Sequence, residues 1–410
     1  MPVKRCSLKL SNLTGPLMTF SSFLTPARTL PVDAARAVLV GRLWQPSLAG
    51  PSVVRIDGDA LVDITHLFST MSDLCEAEGP ARAVREAKGS HVASLADVLA
   101  NTPVESRVTA RPWLLAPIDL QAIKACGVTF AISMLERVIE ERARGNPDAA
   151  LAIRSGIRDL IGDDLAKLKP GSPEALKLKD MLLARNMWSQ YLEVGIGPDA
   201  EIFTKAQPMS AVGHGADAGL HPASRWNNPE PEVVLVVSSS GAIVGATLGN
   251  DVNLRDIEGR SALLLGKAKD NNASCAIGPF IRLFDESFTL DHVRRMELAL
   301  GIDGPEGFVL NGGSVMSKIS RDPADLVRQM IGPEHRYPDG AVLFLGTLYA
   351  PTDDRDVPGQ GFTHKIGDLV SVSSAELGCL VNRMVPSGEA EPWTFGTRNL
   401  MRNLAARKLI

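Results

Sequence analysis

The chain has 410 residues, of which 45% are hydrophobic and 22% charged, and its formal net charge is −4. That is enough for a large core and two domains, while the weak negative charge, without any basic cluster interleaved with aromatics, excludes a nucleic-acid or anionic-membrane surface. No apolar run is long enough to span a membrane, and the five cysteines, scattered and without C-x-x-C spacing, read as reduced thiols of a cytoplasmic protein rather than a zinc site or disulfide framework.

Residues 1–35 read as an irregular extension, with Met18 as a candidate start. Residues 36–116 read as a small α/β domain. It has strands over 38–43 and 53–62, the latter turned at Asp57-Gly58-Asp59, helical pieces around 67–75 and 81–87, and Pro112 and Pro117 at its exit. Residues 117–410 then form the larger domain. Within it, 123–130 reads as a strand running into a loop, and a helix starts at Ala131. Ile132, Leu135, Val138 and Ile139 give that helix an apolar stripe, and Ser133, Glu136, Arg137 and Glu140 share another face, which by itself reads as charged and solvated. Residues 146–186 read as a helical surface insertion covering a site. Residues 200–205 form a short strand leading to an exposed-looking Lys205, and 208–226 are loop, where His214 and His221 read as loop residues.

The most informative stretch is 227–270. Val233 to Val237 and Ala242 to Leu248 are apolar runs separated by Ser238-Ser239-Ser240-Gly241, which predicts a hairpin. Side chains alternate along a strand, so Glu230 and Glu232 project to one face. With Val237 opposite Ala242, Asp251 falls near Asn228 and Glu230, about one strand spacing away. Three carboxylates that close repel one another unless a cation lies between them, and oxygen-only ligands suit a hard ion, Mg²⁺ first, with Mn²⁺ or Ca²⁺ as alternatives. Further on, a helix over 320–331 capped by Ser320 or Asp322, a buried strand over 340–347, a polar loop over 350–363, a hairpin over 369–382 and a helix over 399–410 complete the reading.

The ordered blocks of this region resemble the fumarylacetoacetate hydrolase superfamily: E-x-E at 230–232, GNDVNLRD at 249–256, Gly266-Lys267, Gly278-Pro279, with GVTF at 127–130, IFTK at 202–205, GAVLFLGT at 340–347 and HKIGDLVSV at 364–372. The resemblance spans about residues 120–385. It implies an α+β fold, a mixed β-sheet roll, with a divalent metal on Glu230, Glu232 and Asp251, a substrate-facing Lys267, and substrate-binding roles for Lys205 and Thr347. It also implies at least a homodimer.

Hydrolases of this family carry histidine and glutamate three apart on the helix after the first strand, where they activate water. Here Ser133 and Glu136 stand in those places, and serine takes up no proton near neutral pH. NNPEPEVVL, NDVNLRDIEGRSALLL and KAKDNNASCAIGPF are closest to the family's 2-keto-3-deoxy-D-pentonate dehydratases, with Asn227, Asn228, Asn271 and Asn272 part of that wording. The resemblance therefore implies a metal-dependent dehydratase that makes 2,5-dioxopentanoate from 2-keto-3-deoxy-D-xylonate. Lys267 and Glu136 would be its proton-transfer pair, and Ser133 would lie in the substrate site. The alternative is a C–C hydrolase of acylpyruvates or 2,4-diketo acids, with His214 as candidate base.

Overall fold

A computed structural model describes residues 19–144, 146, 149, 168–184, 188–358 and 361–410, the side chains of 131–133 excepted. The expectations for residues 1–18 and for most of the 146–186 insertion lie outside the described residues; within that insertion Pro173–Ala184 is helical. No helix among the described residues is long and apolar enough to cross a membrane. The four described cysteines are free and buried.

The chain first lays down β1 (Leu39–Gln45), β2 (Gly50–Asp57), β3 (Ala60–Asp63) and β4 (Ser90–Ser94) as an antiparallel series, to which β5 (Trp113–Leu115) adds on β1. β6 (Ala122–Gly127) leads through the Ala131–Arg142 helix and the Gln190–Ile196 helix to β7 (Glu201–Ala206). After β8 (Asp217–Leu220) and the two-residue β9 (Asn227–Asn228) comes the central hairpin of β10 (Pro231–Val237) and β11 (Ile243–Asp251). β12 (Asn253–Leu254) then returns to pair with β9. β13 (Cys275–Leu283), β14 (Glu297–Asp303), β15 (Val309–Val315), β16 (Ala341–Phe344), β17 (Leu369–Ser374) and β18 (Gly378–Pro386) complete the strands.

Eleven strands form one mixed sheet in the order β4-β3-β2-β1-β13-β11-β10-β16-β6-β7, with β5 beside β1; five form a second, β15-β14-β17-β18-β8. Residues 36–116 thus enter the large sheet through β1, which pairs with β13 at Leu39↔Arg282 and Val40↔Ile281.

Every residue of β10 is buried, because each face of the strand has a different partner. Val233, Leu235 and Val237 pack with Leu298, Leu300, Ile302, Val370 and Val372 of the second sheet. Val234 and Val236 pack with Val342, Phe344 and the N-terminal Met71, Leu74 and Val84. This is why β10 reads as a continuous apolar run rather than an alternating one. The hairpin register differs from the expected one. A bulge at Val236/Val237 pairs Val237 with Ile243 and Glu232 with Gly249, so Asp251 lies opposite Glu230 instead of Asn228, its N–H donating to the Glu230 carbonyl at 3.0 Å.

The large sheet is also rolled. β7 is four strands from β11 along the hydrogen-bonded order, about 19 Å in a flat sheet. Nonetheless Lys205 of β7 places its ammonium 3.0 Å from Asp251 of β11. The roll closes one end of the sheet around the carboxylates.

Candidate active site

One face of the hairpin end carries Glu230, Glu232 and Asp251, all buried, each offering an oxygen within 4.8 Å of the others. Glu232 is pushed well above the ordinary carboxylate range, first by burial and then by Asp251 and Glu230. It accepts from the Gly346 N–H at 2.6 Å and from the Thr347 hydroxyl at 3.5 Å, which places Thr347 beside the cluster. The backbone at Gly346 requires glycine: its φ is +96°, and a Cβ would lie 2.0 Å from Thr129 Oγ1. For Glu230 burial acts upward, but Lys269 and Arg137 outweigh it and hold the carboxylate below its usual value. Three hard oxygen donors gathered in a buried site, one of them strongly disfavoured as an anion by burial and then by the other two, fit a divalent cation.

On the turn after β12, Lys269 rather than Lys267 contacts the carboxylates. Lys267 is exposed, and its carbonyl accepts from Asn271 Nδ2. Lys269 is buried and donates to Glu230 Oε2 at 2.5 Å and to Asp251 Oδ2 at 3.1 Å. Both lie on the Leu265–Lys269 helical turn, where two residues of separation is about 200° of rotation, so only one can face inward. Burial opposes the Lys269 ammonium, yet Asp251 and Glu230 more than offset it, and its pKa stands above the usual lysine value.

Lys205 corrects a second expectation. It lies inside β7, is fully buried, and donates to the Lys269 carbonyl at 2.5 Å and to Ser274 Oγ at 3.3 Å besides pairing with Asp251. Its contacts hold a carboxylate and a neighbouring backbone rather than opening toward a ligand. Glu201 lies four residues earlier on the same strand face. Burial and then Glu258 push its carboxyl up to about 7, with Lys269 and Arg137 pulling the other way. Gly127 leaves the room, since a Cβ there would lie 1.9 Å from Glu201 Oε2. Sequence reasoning passed over Glu201, although the i, i+4 spacing to Lys205 on one strand was the available signal.

The polar face of the Ala131–Arg142 helix is not solvated. Glu136 and Glu140 are buried, and Arg137 ties Glu140 and Glu258 (2.7 and 3.1 Å) to Glu230. Arg255 adds a 3.3 Å pair with Glu140 and donates to Asn228 Oδ1 at 2.7 Å. The backbone of Ser133 belongs to this helix, while its side chain lies outside the described residues. Of the other asparagines, Asn227 accepts from the His364 N–H at 3.1 Å and Asn272 donates to the Ser387 carbonyl at 3.0 Å, both tying loops together.

His214 is fully enclosed. Its Nδ1 accepts from the Val381 N–H at 3.1 Å, leaving Nε2 to donate to Thr29 Oγ1 at 3.2 Å, so both nitrogens are engaged. Burial pushes its pKa down to about 3. The unfolded chain therefore takes up a proton below about pH 6.5 that the folded chain refuses, and stability falls as pH falls through that window. Between pH 7 and pH 5 this group is expected to remove about 2 kcal/mol. Urea titrations at both values should show His214→Gln losing correspondingly less than the wild type.

Residues 193–385 match the fumarylacetoacetate (FAA) hydrolase C-terminal family. That region of the chain belongs to the fumarylacetoacetate hydrolase family. Over 181 residues, 44% of this chain, it is 33% identical to a 2-dehydro-3-deoxy-D-arabinonate dehydratase of Saccharolobus solfataricus, of which the match spans 57%. Over 313 residues, 76% of this chain and 87% of the relative, it is 27% identical to a probable 2-keto-3-deoxyxylonate dehydratase of Haloferax volcanii. Among solved structures, the apo form of 2-keto-3-deoxy-D-arabinonate dehydratase superposes with a TM-score of 0.60 at 21% identity, covering 85% of this chain and 99% of that one. The same enzyme complexed with magnesium and 2,5-dioxopentanoate superposes with a TM-score of 0.58, also at 21% identity and with the same coverage. These superpositions show that the chain has the α+β fumarylacetoacetate hydrolase fold.

Proposed function

We propose that the chain is a Mg²⁺-dependent dehydratase of 2-keto-3-deoxy-D-xylonate, the same compound as 2-keto-3-deoxy-D-arabinonate, and that its product is 2,5-dioxopentanoate. The observation that carries this reading is the buried cluster of Glu230, Glu232 and Asp251 with Lys269 against it. The names of the two dehydratase relatives support the choice of substrate. Ser133 in place of a water-activating histidine, with His214 engaged at both nitrogens, speaks against hydrolysis.

A magnesium ion held by the three carboxylates would supply a Lewis acid for a 2-keto acid's C1 carboxylate and C2 ketone. The ammonium of Lys269, kept cationic by its neighbours, stabilises negative charge that develops on the substrate oxygens. Lys269 is thus an electrostatic group here, and the base is a carboxylate. Glu201, poised near neutrality, removes the C3 proton. The C4 hydroxyl then leaves as water with a proton delivered from the Glu136 side. A proton shift from C5 to C3 then gives the C4=C5 enol, and protonation at C4 with loss of the C5 hydroxyl proton gives the aldehyde, so the balance is loss of one water. Thr347, at the Glu232 end, offers its hydroxyl to the substrate.

Incubation with Mg²⁺ and 2-keto-3-deoxy-D-xylonate should yield 2,5-dioxopentanoate, with kcat/KM falling as pH drops through about 7, where Glu201 protonates. Glu201→Gln should remove most of the rate, about 10²-fold or more. Cleavage of an acylpyruvate with no turnover of the pentonate would refute the assignment.

A further inference from the structure

β5 lies beside β1 with Arg42 opposite Leu115, Leu43 opposite Leu114 and Trp44 opposite Trp113. Alternation divides this pair into two faces. Leu43 and Leu114 enter the core, while Arg42, Trp44 and Trp113 share the other face. That face lines a cavity of about 280 Å³, bounded also by residues 209–213 and 391–395. Three of the chain's five tryptophans, Trp44, Trp113 and Trp393, meet there. None of Glu230, Glu232, Asp251, Lys205 and Lys269 lines it.

The rings are held in place. Trp44 and Trp113 stack at 5.7 Å with 22° between their planes, the Phe395 ring meets Trp44 edge-on at 5.0 Å, and the Arg107 guanidinium lies 4.5 Å over Trp113. Arg107 is neutralised by Glu391, at 3.0 and 2.9 Å. Arg42 is less well served. Its Nη1 donates to the Ala116 carbonyl at 3.4 Å and to that of Ile118, while Nη2 has no acceptor among the described residues and is not sealed from solvent. Asp119 stands 3.6 Å from Nε, beyond hydrogen-bond reach, and its two oxygens accept from the backbone N–H groups of Met71, Ser72 and Leu120 at 2.7, 3.1 and 2.8 Å. Only 5% of Arg42 is exposed, and burial pulls its pKa down further than Asp119 lifts it. The indole N–H groups of Trp44 and Trp113 also lack an acceptor among the described residues. Donors without acceptors are thus gathered around an aromatic cavity.

A cavity of this volume is at the low end for small-molecule sites and holds about one ring with its substituents. Fixed aromatic walls take a planar ring by edge and face contacts at little cost in ordering. A largely desolvated guanidinium prefers an anion to a neutral acceptor, because the charge-assisted bond replaces the water it has lost. We infer that this cavity is a second ligand site, separate from the carboxylate cluster, and that it takes a planar aromatic ring bearing a carboxylate. The ring packs against the tryptophans, and the carboxylate accepts from Arg42 Nη2 and an indole N–H.

Benzoate is the probe, titrated calorimetrically into the full-length chain with EDTA present, so that no divalent ion recruits it to Glu230, Glu232 and Asp251. Its dissociation constant should be about 1 mM or tighter. Benzamide has the ring without the charge and acetate the charge without the ring; each should bind about tenfold more weakly or worse. Arg42→Met should weaken benzoate about tenfold, and Trp44→Phe, which keeps the aromatic packing and removes one N–H, about threefold. Absence of benzoate binding, equal affinity for benzamide or acetate, or full benzoate affinity in Arg42→Met overturns the inference. If Arg42→Met does not fold, Trp44→Phe decides, and undiminished affinity there overturns it. In a separate titration with excess Mg²⁺, pyruvate should leave benzoate bound; displacement would move benzoate to the carboxylate cluster and overturn the assignment as well.

Discussion

Lys269→Met is expected to lower kcat/KM for the 2-keto-3-deoxy acid by about 10³-fold, whereas Lys267→Met should change it by less than about twofold. The two residues share one helical turn and differ only in the face they occupy. Lys269 is enclosed against Glu230 and Asp251, and Lys267 is exposed. Steady-state kinetics on the two variants, with circular dichroism to show that both fold, separates the assignments directly. Equal losses in both variants would mean that the turn is needed as a whole rather than for one ammonium.

The carboxylates should divide in a similar way. Both Asp251→Asn and Glu232→Gln would remove a ligand of the proposed ion, and each should weaken Mn²⁺ binding in isothermal titration calorimetry by about 10²-fold and abolish turnover. Their effects on folding should part company. Asp251 is the shared partner of Lys205 and Lys269, and neutralising it leaves buried ammonium groups short of charge, which costs about 3 kcal/mol. Glu232 is already pushed toward its neutral form by burial, Asp251 and Glu230, and the Gly346 N–H can donate to an amide oxygen as well, so Glu232→Gln should cost less than about 1 kcal/mol. Urea unfolding of both variants supplies the comparison. An Asp251→Asn protein as stable as the wild type would show that the lysines do not depend on that carboxylate.

How much of this was legible beforehand varies from residue to residue. That Glu230 and Glu232 share a face follows from strand alternation, and the nearness of Asp251 to Glu230 follows from the turn, even though a bulge moved the register. The order of the blocks carried the family. The choice between Lys267 and Lys269 was not readable, because a short run such as LGKAK does not declare its phase: the buried face of a single turn is set by what packs on it. Lys205 looked exposed because a lysine ending a short strand usually is, and only the curvature of the sheet buries it. Arg137 and Glu140 looked like a solvated face for the same reason. Their partners Glu230, Glu258 and Arg255 are about 90 to 120 positions away in the chain, beyond what local spacing reveals. Glu201 was missed for want of asking which residue shares a strand face with a chosen lysine.

The rolled sheet has a consequence for how the activity arises during folding. Asp251 and Lys205 lie on strands four apart in the hydrogen-bonded order, so their contact exists only after the β10–β11 hairpin, β16, β6 and β7 have all assembled and curved. Such long-range pairings close slowly, after local turns and hairpins have formed. A refolding chain should therefore regain its far-ultraviolet signal before it regains a competent site, and appearance of the site marks completion of the curvature rather than of any single element.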